Sequence, residues 1–405
     1  MTDTATDDLP LAGVRILAAE QYGAGPFGTM YMADMGAEII KIETPPVDGT
    51  GGDSARQSGP HFLGDNDSHF FQTFNLGKRS LTLNLRHPSG QAVLHRLVQG
   101  ADAVINNLRG DLPGKLGLTY EHLSPVKPSI VCAHLSGYGR MDDRAGRPAY
   151  DYLMQAEAGF MSVTGEPDGL PTRMGLSIVD FMTGLTTAFA LTAALFGAAR
   201  SGRGRDVDVT LYDVAIHQMS YPATWYLNEG TVTNARPRSG HPSVVPCEMF
   251  PTSDGHIFIM CVLDKFWRRL CELLGCAKLL DDPRFATFAD RRANRDALAE
   301  RLDAVLVTKP TAEWMAILMG QVPVAPVYDF AGALDNPYLR ERGGIGTFDH
   351  PMKPGFKVLA NPILLDGKRV AARPGPALGA DTDALLAEVG YSAGEIEALR
   401  QDGAV

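Results

Sequence analysis

The sequence predicts an α/β fold, a doubly wound and mostly parallel sheet that carries a smaller inserted α+β domain. Three observations lead there. Short apolar runs alternate with helical stretches along the first half, the pattern of parallel crossover units. After Glu229 apolar periodicity fades and Pro, Arg, Ser and Gly take over. Two apolar runs around Asp254-Gly255 then signal a hairpin, a different architecture from the first. The large domain is therefore placed at residues 1–229 and 321–405, and the small one with its linkers at 230–320.

In chain order, Val14–Ala18 reads as a strand, followed by a loop through Gly25 and a helix opened by Pro26 and ended by Gly36. Glu38–Glu43 is the next strand, which completes a β-loop-α-β unit. The Gly-, Asp- and Ser-rich stretch Pro45–Ser68 is a long loop, a length that is usually functional. Leu81–Leu85, Ala103–Ile105 and Ile130–Leu135 read as strands, and Gly90–Val98 as a helix. A helical block from Tyr150 to Glu229 is interrupted by the turn Thr164–Gly169 and the strand Asp206–Leu211. Thr231–Val245 is a surface-crossing linker. Beyond the hairpin, helices are expected at Asp264–Gly275, Arg284–Val307 and Ala312–Met319. Strands at Val324–Val327 and Val358–Leu365 and helices at Asp381–Val389 and Ala393–Leu399 close the large domain.

The net charge of −10, with no basic run longer than a pair, argues against nucleic acid as a partner. The acidic start MTDTATDDLP lacks the basic and apolar regions of a secretory signal. Leu185–Ala199 comes nearest to a membrane span but falls short of the required ~18 apolar residues. Five cysteines in a chain this long read as free buried thiols, and the ten histidines form no ligand pattern, so no metal is expected. A cytoplasmic protein follows as the expectation.

Asp180 is the leading chemical candidate. It precedes an almost wholly apolar, small-residue helix, where the helix N-terminus favours negative charge. A desolvated but ionised carboxylate is a candidate nucleophile; a plain N-cap is the alternative. The Gly23-Ala24-Gly25 cluster with Gly28 has the position of a dinucleotide fingerprint but not its spacing. Arg86, Asn107 and Lys115 face the crevice at the strands' carboxyl ends, where cations suit phosphates, although solvated surface charge is the ordinary role of such residues. His134 ends a strand as either a base or a satisfied buried imidazole.

In this order the pieces resemble the class III CoA-transferases, the family of formyl-CoA transferase and its racemase relatives. The resemblance runs through Pro10–Leu17, Ala24-Gly-Pro26, Met35–Glu43, Asn75–Ser80, Ala101–Asn107, Ser136-Gly-Tyr138, Tyr150-Asp151, the Asp180 segment and Gly240-His-Pro242. It implies that Asp180 is the nucleophile, passing through an aspartyl anhydride and an aspartyl-CoA thioester. It implies CoA contacts at Gly23, Ala24, Leu83, Asn84, Leu85, Arg86, Asn107, Leu108, Lys115, Tyr150 and Asp151. It implies acyl-CoA and carboxylic or dicarboxylic acid substrates, succinyl-CoA being one donor, with no permanently bound cofactor and an interlocked homodimer. Arg238, Gly240 and His241 of the linker are the expected acceptor contacts. Thr44 stands where the family carries an arginine, and Lys115 replaces another. The glycine-rich flap of formyl-CoA transferase is missing, which argues against oxalate as acceptor. A 2-methylacyl-CoA racemase is the alternative, disfavoured because Tyr150 stands where racemases carry a histidine base. A catalytically inactive CoA-binding protein is the second alternative.

Overall fold

The computed structural model describes residues 8–46 and 51–405. The acidic segment at 1–7 and residues 47–50 of the long loop lie outside the described residues. The chain divides into two compact units. One gathers the described residues up to Ala158 with Gly175–Gln218 and Pro337–Val405; the other holds Gly159–Met174 and Met219–Asn336.

The first unit is built on six strands: β1 (Arg15–Ala19), β2 (Glu38–Glu43), β3 (Arg79–Thr82), β4 (Ala103–Asn106), β5 (Val131–Ser136) and β6 (Arg205–Thr210). They pair in the order β3-β2-β1-β4-β5-β6, each pair parallel. Strand order reverses between β1 and β4, and a sheet of this kind binds ligands in the crevice beyond that point. Helices α1 (Ala24–Asp34), α2 (His69–Phe74), α3 (Pro88–Gln99), α4 (Tyr120–Leu123), α5 (Asp151–Glu157), α6 (Ile178–Ser201) and α7 (Leu211–Gln218) surround it.

Alternate residues of each strand feed opposite faces. Leu17, Ile40, Leu81 and Val104 pack under Val93, Leu94 and Leu97 of α3. Ile16, Ala18 and Ile105 pack under Met32 and Ala33 of α1 and Leu191 and Ala198 of α6. Two glycines decide how closely α1 meets α6. A Cβ on Gly28 would lie 2.4 Å from the carbonyl oxygen of Gly184, and a Cβ on Gly184 would lie 2.4 Å from that of Ala24. The small-residue stretch seen in the sequence thus lets two helix backbones touch.

The stretch Leu185–Ala199 belongs to a longer helix than expected. By length and composition α6 is able to cross a membrane, although its inner face lies in the core just described.

The second unit holds α8 (Ser220–Glu229), an antiparallel sheet of β7 (Cys247–Pro251), β8 (His256–Met260) and β9 (Val324–Pro326), and helices α9 (Asp264–Leu273), α10 (Phe288–Ala293), α11 (Arg295–Leu306), α12 (Thr311–Leu318) and α13 (Phe330–Leu334). Its core joins Phe250, Ile257 and Ile259 to Trp267, Leu270, Leu302 and Trp314. Two readings of the sequence differ here. The strand at Val324, assigned to the closing part of the large domain, pairs with β8 instead. The single helix at Arg284–Val307 is two, broken at Asn294, whose side-chain amide donates to the Arg284 and Asp290 carbonyls.

The chain then returns to the first unit with α14 (Pro337–Glu341), the hairpin β10 (Ile345–His350) and β11 (Lys353–Leu359), α15 (Thr382–Glu388) and α16 (Ala393–Gln401). Strand β3 is displaced from the expected Leu81–Leu85: it stops at Thr82, and the chain turns at Asn84, whose carbonyl accepts from the His87 amide at 3.0 Å.

Candidate active site

Asp180 lies in the first turn of α6. The preceding Ser177 makes no side-chain cap bond, and Asp180 itself is not the cap. Its backbone N–H donates to Asp151 Oδ2 at 2.9 Å, while Asp151 Oδ1 accepts from Gln155 Nε2 at 2.6 Å. Asp151 therefore fixes the backbone of Asp180 and sets a second carboxylate beside it. Among the described residues the Asp180 carboxylate has no hydrogen-bond partner. Burial and then the Asp151 charge push Asp180 up to about 7. A carboxylate in this state is unquenched by donors and more basic than an ordinary one, both of which raise its nucleophilicity.

Facing it is the turn between β1 and α1. A Cβ on Gly23 would lie 2.8 Å from Asp180 Oδ2, so a side chain there would collide with the carboxylate. Asn107, at the end of β4, accepts from the Gln21 N–H at 2.8 Å and donates to the Gln21 carbonyl at 2.6 Å. Its amide is thereby spent on holding the turn.

A cavity of about 790 Å³ opens over Asp180. Gly23, Ala24, Asn107, Leu108, Tyr150 and Asp151, all expected at the CoA site, line it. A second cavity of about 480 Å³ is lined by Leu83, Asn84, Leu85, Arg86 and Thr44. Gln21, Leu108 and Leu112 border both cavities, so the two are neighbours. Lys115 borders neither; it pairs with Asp111 at 2.7 Å, the carboxylate that Arg109 also grips. Arg147 lines the Asp180 cavity and has no ion-pair partner among the described residues.

The expected acceptor residues belong to the second unit and are engaged there. Arg238 makes a two-pronged contact with Asp303, at 2.7 and 2.5 Å. His241 contacts the Tyr221 hydroxyl at 2.9 Å and accepts the Ser243 and Val244 amides at Nδ1, which leaves the proton on Nε2. Gly240 packs against Arg295, whose Nη1 would lie 2.8 Å from an added Cβ. His134 is a satisfied buried imidazole, held between Asn106 and Asp206 at 2.8 Å each.

Sequence reasoning missed Asp53 and Arg147. Asp53 accepts the Tyr22 N–H at 2.9 Å and pairs with Lys41 at 2.8 Å. The long Pro45–Ser68 loop was the available signal, since long loops in compact domains are usually functional. Arg147 carried none beyond its place three residues before Tyr150-Asp151.

Comparison with known proteins gives the family of the chain. The family model of CoA-transferase family III matches residues 11–382. The succinate–glutarate CoA-transferase of Agrobacterium fabrum is 33% identical, with 96% of this chain and 98% of that protein covered. The acetyl-CoA:oxalate CoA-transferase of Acetobacter aceti is 34% identical, with 91% and 92% covered. The crystal structure of a CAIB/BAIF family protein from Brucella suis superposes with a TM-score of 0.81 at 31% identity, covering 94% of this chain and 99% of that one. The chain belongs to CoA-transferase family III and is a CoA-transferase.

Proposed function

We propose that the enzyme moves CoA from an acyl-CoA donor, succinyl-CoA being the leading candidate, to a small dicarboxylate, with Asp180 as covalent nucleophile. The observation that carries this reading is the half-buried Asp180 carboxylate, without a hydrogen-bond partner among the described residues, pushed up to about 7 and opening into a cavity. An Asp180 oxygen attacks the donor thioester carbonyl, the C–S bond breaks, and CoA leaves as thiolate from a mixed anhydride. The thiolate attacks the aspartyl carbonyl, which releases the donor acid and leaves an aspartyl-CoA thioester. The acceptor carboxylate displaces CoA again to give a second anhydride. Thiolate attack on the acceptor's carbonyl then forms the new acyl-CoA and frees Asp180. Each difficult exchange is divided into two easier ones, and no resident cofactor is needed.

In this reading the reactive end of CoA enters the Asp180 cavity past Leu108, and the nucleotide end lies in the second cavity beside Arg86. Arg147, rather than Arg238 or His241, is the cation for the acceptor's distal carboxylate, because its guanidinium has no ion-pair partner among the described residues while the other two are engaged. An acceptor anion near Asp180 and Asp151 needs such a cation. The succinate–glutarate relative supports a dicarboxylate of four or five carbons. The reading also places the enzyme in the cytoplasm as a homodimer.

Incubation with succinyl-CoA followed by peptide mass spectrometry is expected to find an acyl or CoA adduct on the peptide that carries Asp180. Asp180→Ala and Asp180→Asn are expected to lose the adduct and the transfer activity while remaining folded. An Asp180→Ala enzyme with near wild-type turnover would overturn the proposal.

A further inference from the structure

The Glu20–Gly23 turn is held more firmly than a surface loop requires. Lys41 Nζ donates to the Glu20 carbonyl at 2.9 Å, Asn107 brackets Gln21, and Asp53 Oδ1 accepts the Tyr22 N–H at 2.9 Å. Tyr22 sits at φ 63°, a left-handed conformation that a bulky residue keeps only when its surroundings impose it. Directly after it, Gly23 packs against the Asp180 carboxylate.

The pair behind the turn is wholly buried. Lys41 and Asp53 lie 2.8 Å apart, and neither side chain is exposed. Burial alone would raise Asp53, but the Lys41 charge and the Ala55 and Tyr22 amides hold it below the ordinary carboxylate range. A second buried pair, Lys78 with Glu20 at 2.7 Å, anchors the start of the same turn. Buried ion pairs contribute little net stability over well-packed apolar replacements. What they do supply is fixed geometry, and a displacement of ~1 Å at a reacting group costs on the order of a hundredfold in rate.

We propose that Asp53 is a positioning residue of this enzyme: with Lys41 it locks the Tyr22 turn so that the Gly23 backbone closes against the Asp180 carboxylate, and acyl transfer to Asp180 depends on that lock. This rests on the reading of Asp180 as the nucleophile. Asp53 touches no reacting atom; it acts through Tyr22 and Gly23.

The test is the double variant Lys41→Met/Asp53→Leu, which removes both charges together and leaves no buried ion without its partner. Three quantities are measured on it: the single-turnover rate of adduct formation at Asp180, the Kd for free CoA, and Tm. The expected result is a folded protein that binds CoA within a few-fold of wild type, but acylates Asp180 roughly tenfold to a hundredfold more slowly. Asp53→Asn retains an acceptor for the Tyr22 amide and is expected to recover part of that rate. A wild-type acylation rate in the double variant overturns the proposal. So does a loss of rate, CoA affinity and folded protein together in both variants, because that is the mark of a structural pair. Asp180→Ala, run alongside, separates the two readings: activity without Asp180 overturns the nucleophile itself, whereas an adduct formed at unchanged rate overturns only the role of Asp53.

Discussion

Asp180 and Asp151 divide one requirement between two carboxylates. As the proposed nucleophile Asp180 must be ionised to attack, yet its burial and its neighbour both resist ionisation. The donor kcat/KM is therefore expected to rise with pH and level off above about 7, the value to which Asp180 is pushed. Asp151→Asn removes the neighbouring charge but keeps an acceptor for the Asp180 N–H, so it should move this acid limb to lower pH; pH-rate profiles of the two enzymes decide. A limb that stays in place would remove Asp151 from the electrostatics of Asp180. The same shift acts on folding. A carboxylate whose folded pKa is raised contributes stability fully below its unfolded value and loses it as pH rises through the folded one. Asp180→Asn should therefore melt above wild type at pH 8, by about 1–3 kcal/mol, with the gap closing toward pH 4. An inactive variant that is also more stable separates loss of chemistry from loss of fold.

The elements that carry the site meet through glycines, and this is where the sequence was most and least legible. The alternation of β1, α1 and β2 could be read from apolar period and from Pro26 and Gly36, and the parallel sheet from their repetition. The apolar, small-residue character of α6 and the isolation of Asp180 were equally visible. Contact between α1 and α6 was not, because the approach of Gly28 to Gly184 links residues 156 positions apart and leaves no local period. The Lys41–Asp53 pair was hidden for the same reason: each residue reads as a common surface type until β2 and the long loop come together. In an ordinary helix interior, Gly→Ala is expected to stabilise by ~1 kcal/mol. At Gly28 the sign should reverse, since the new methyl would sit 2.4 Å from a backbone oxygen that has no rotamer to escape through. Gly28→Ala is expected to lower stability by about 1–3 kcal/mol, as overpacking does, and to slow acylation by displacing the start of α1 from Asp180. Thermal melts and adduct kinetics check both, and a stabilised Gly28→Ala would show that the helices part freely.

At the scale of the whole molecule, the outer side of α6 calls for an explanation. Leu185, Phe189 and Phe196 are spaced four and seven residues apart, so they share one side of the helix, and Phe189 is 76% exposed. Two exposed phenylalanines and a leucine on one stripe form a patch of the kind that marks an interaction surface. A membrane would also suit so apolar a helix, yet α6 packs its inner side against the sheet core, so its position is already fixed within a folded unit. The family resemblance implies a second copy of the chain as the occupant. Burial of each such side chain contributes ~2 kcal/mol, which would make the stripe a substantial part of such an interface. Sedimentation of the wild-type protein without detergent is expected to give twice the chain mass. Phe189→Glu places an unpaired charge in the middle of the stripe and should weaken that association by well over tenfold. If Phe189→Glu sediments as the wild type does, the stripe is not the dimer contact; if the wild type needs detergent to remain dispersed, a lipid surface is the better occupant.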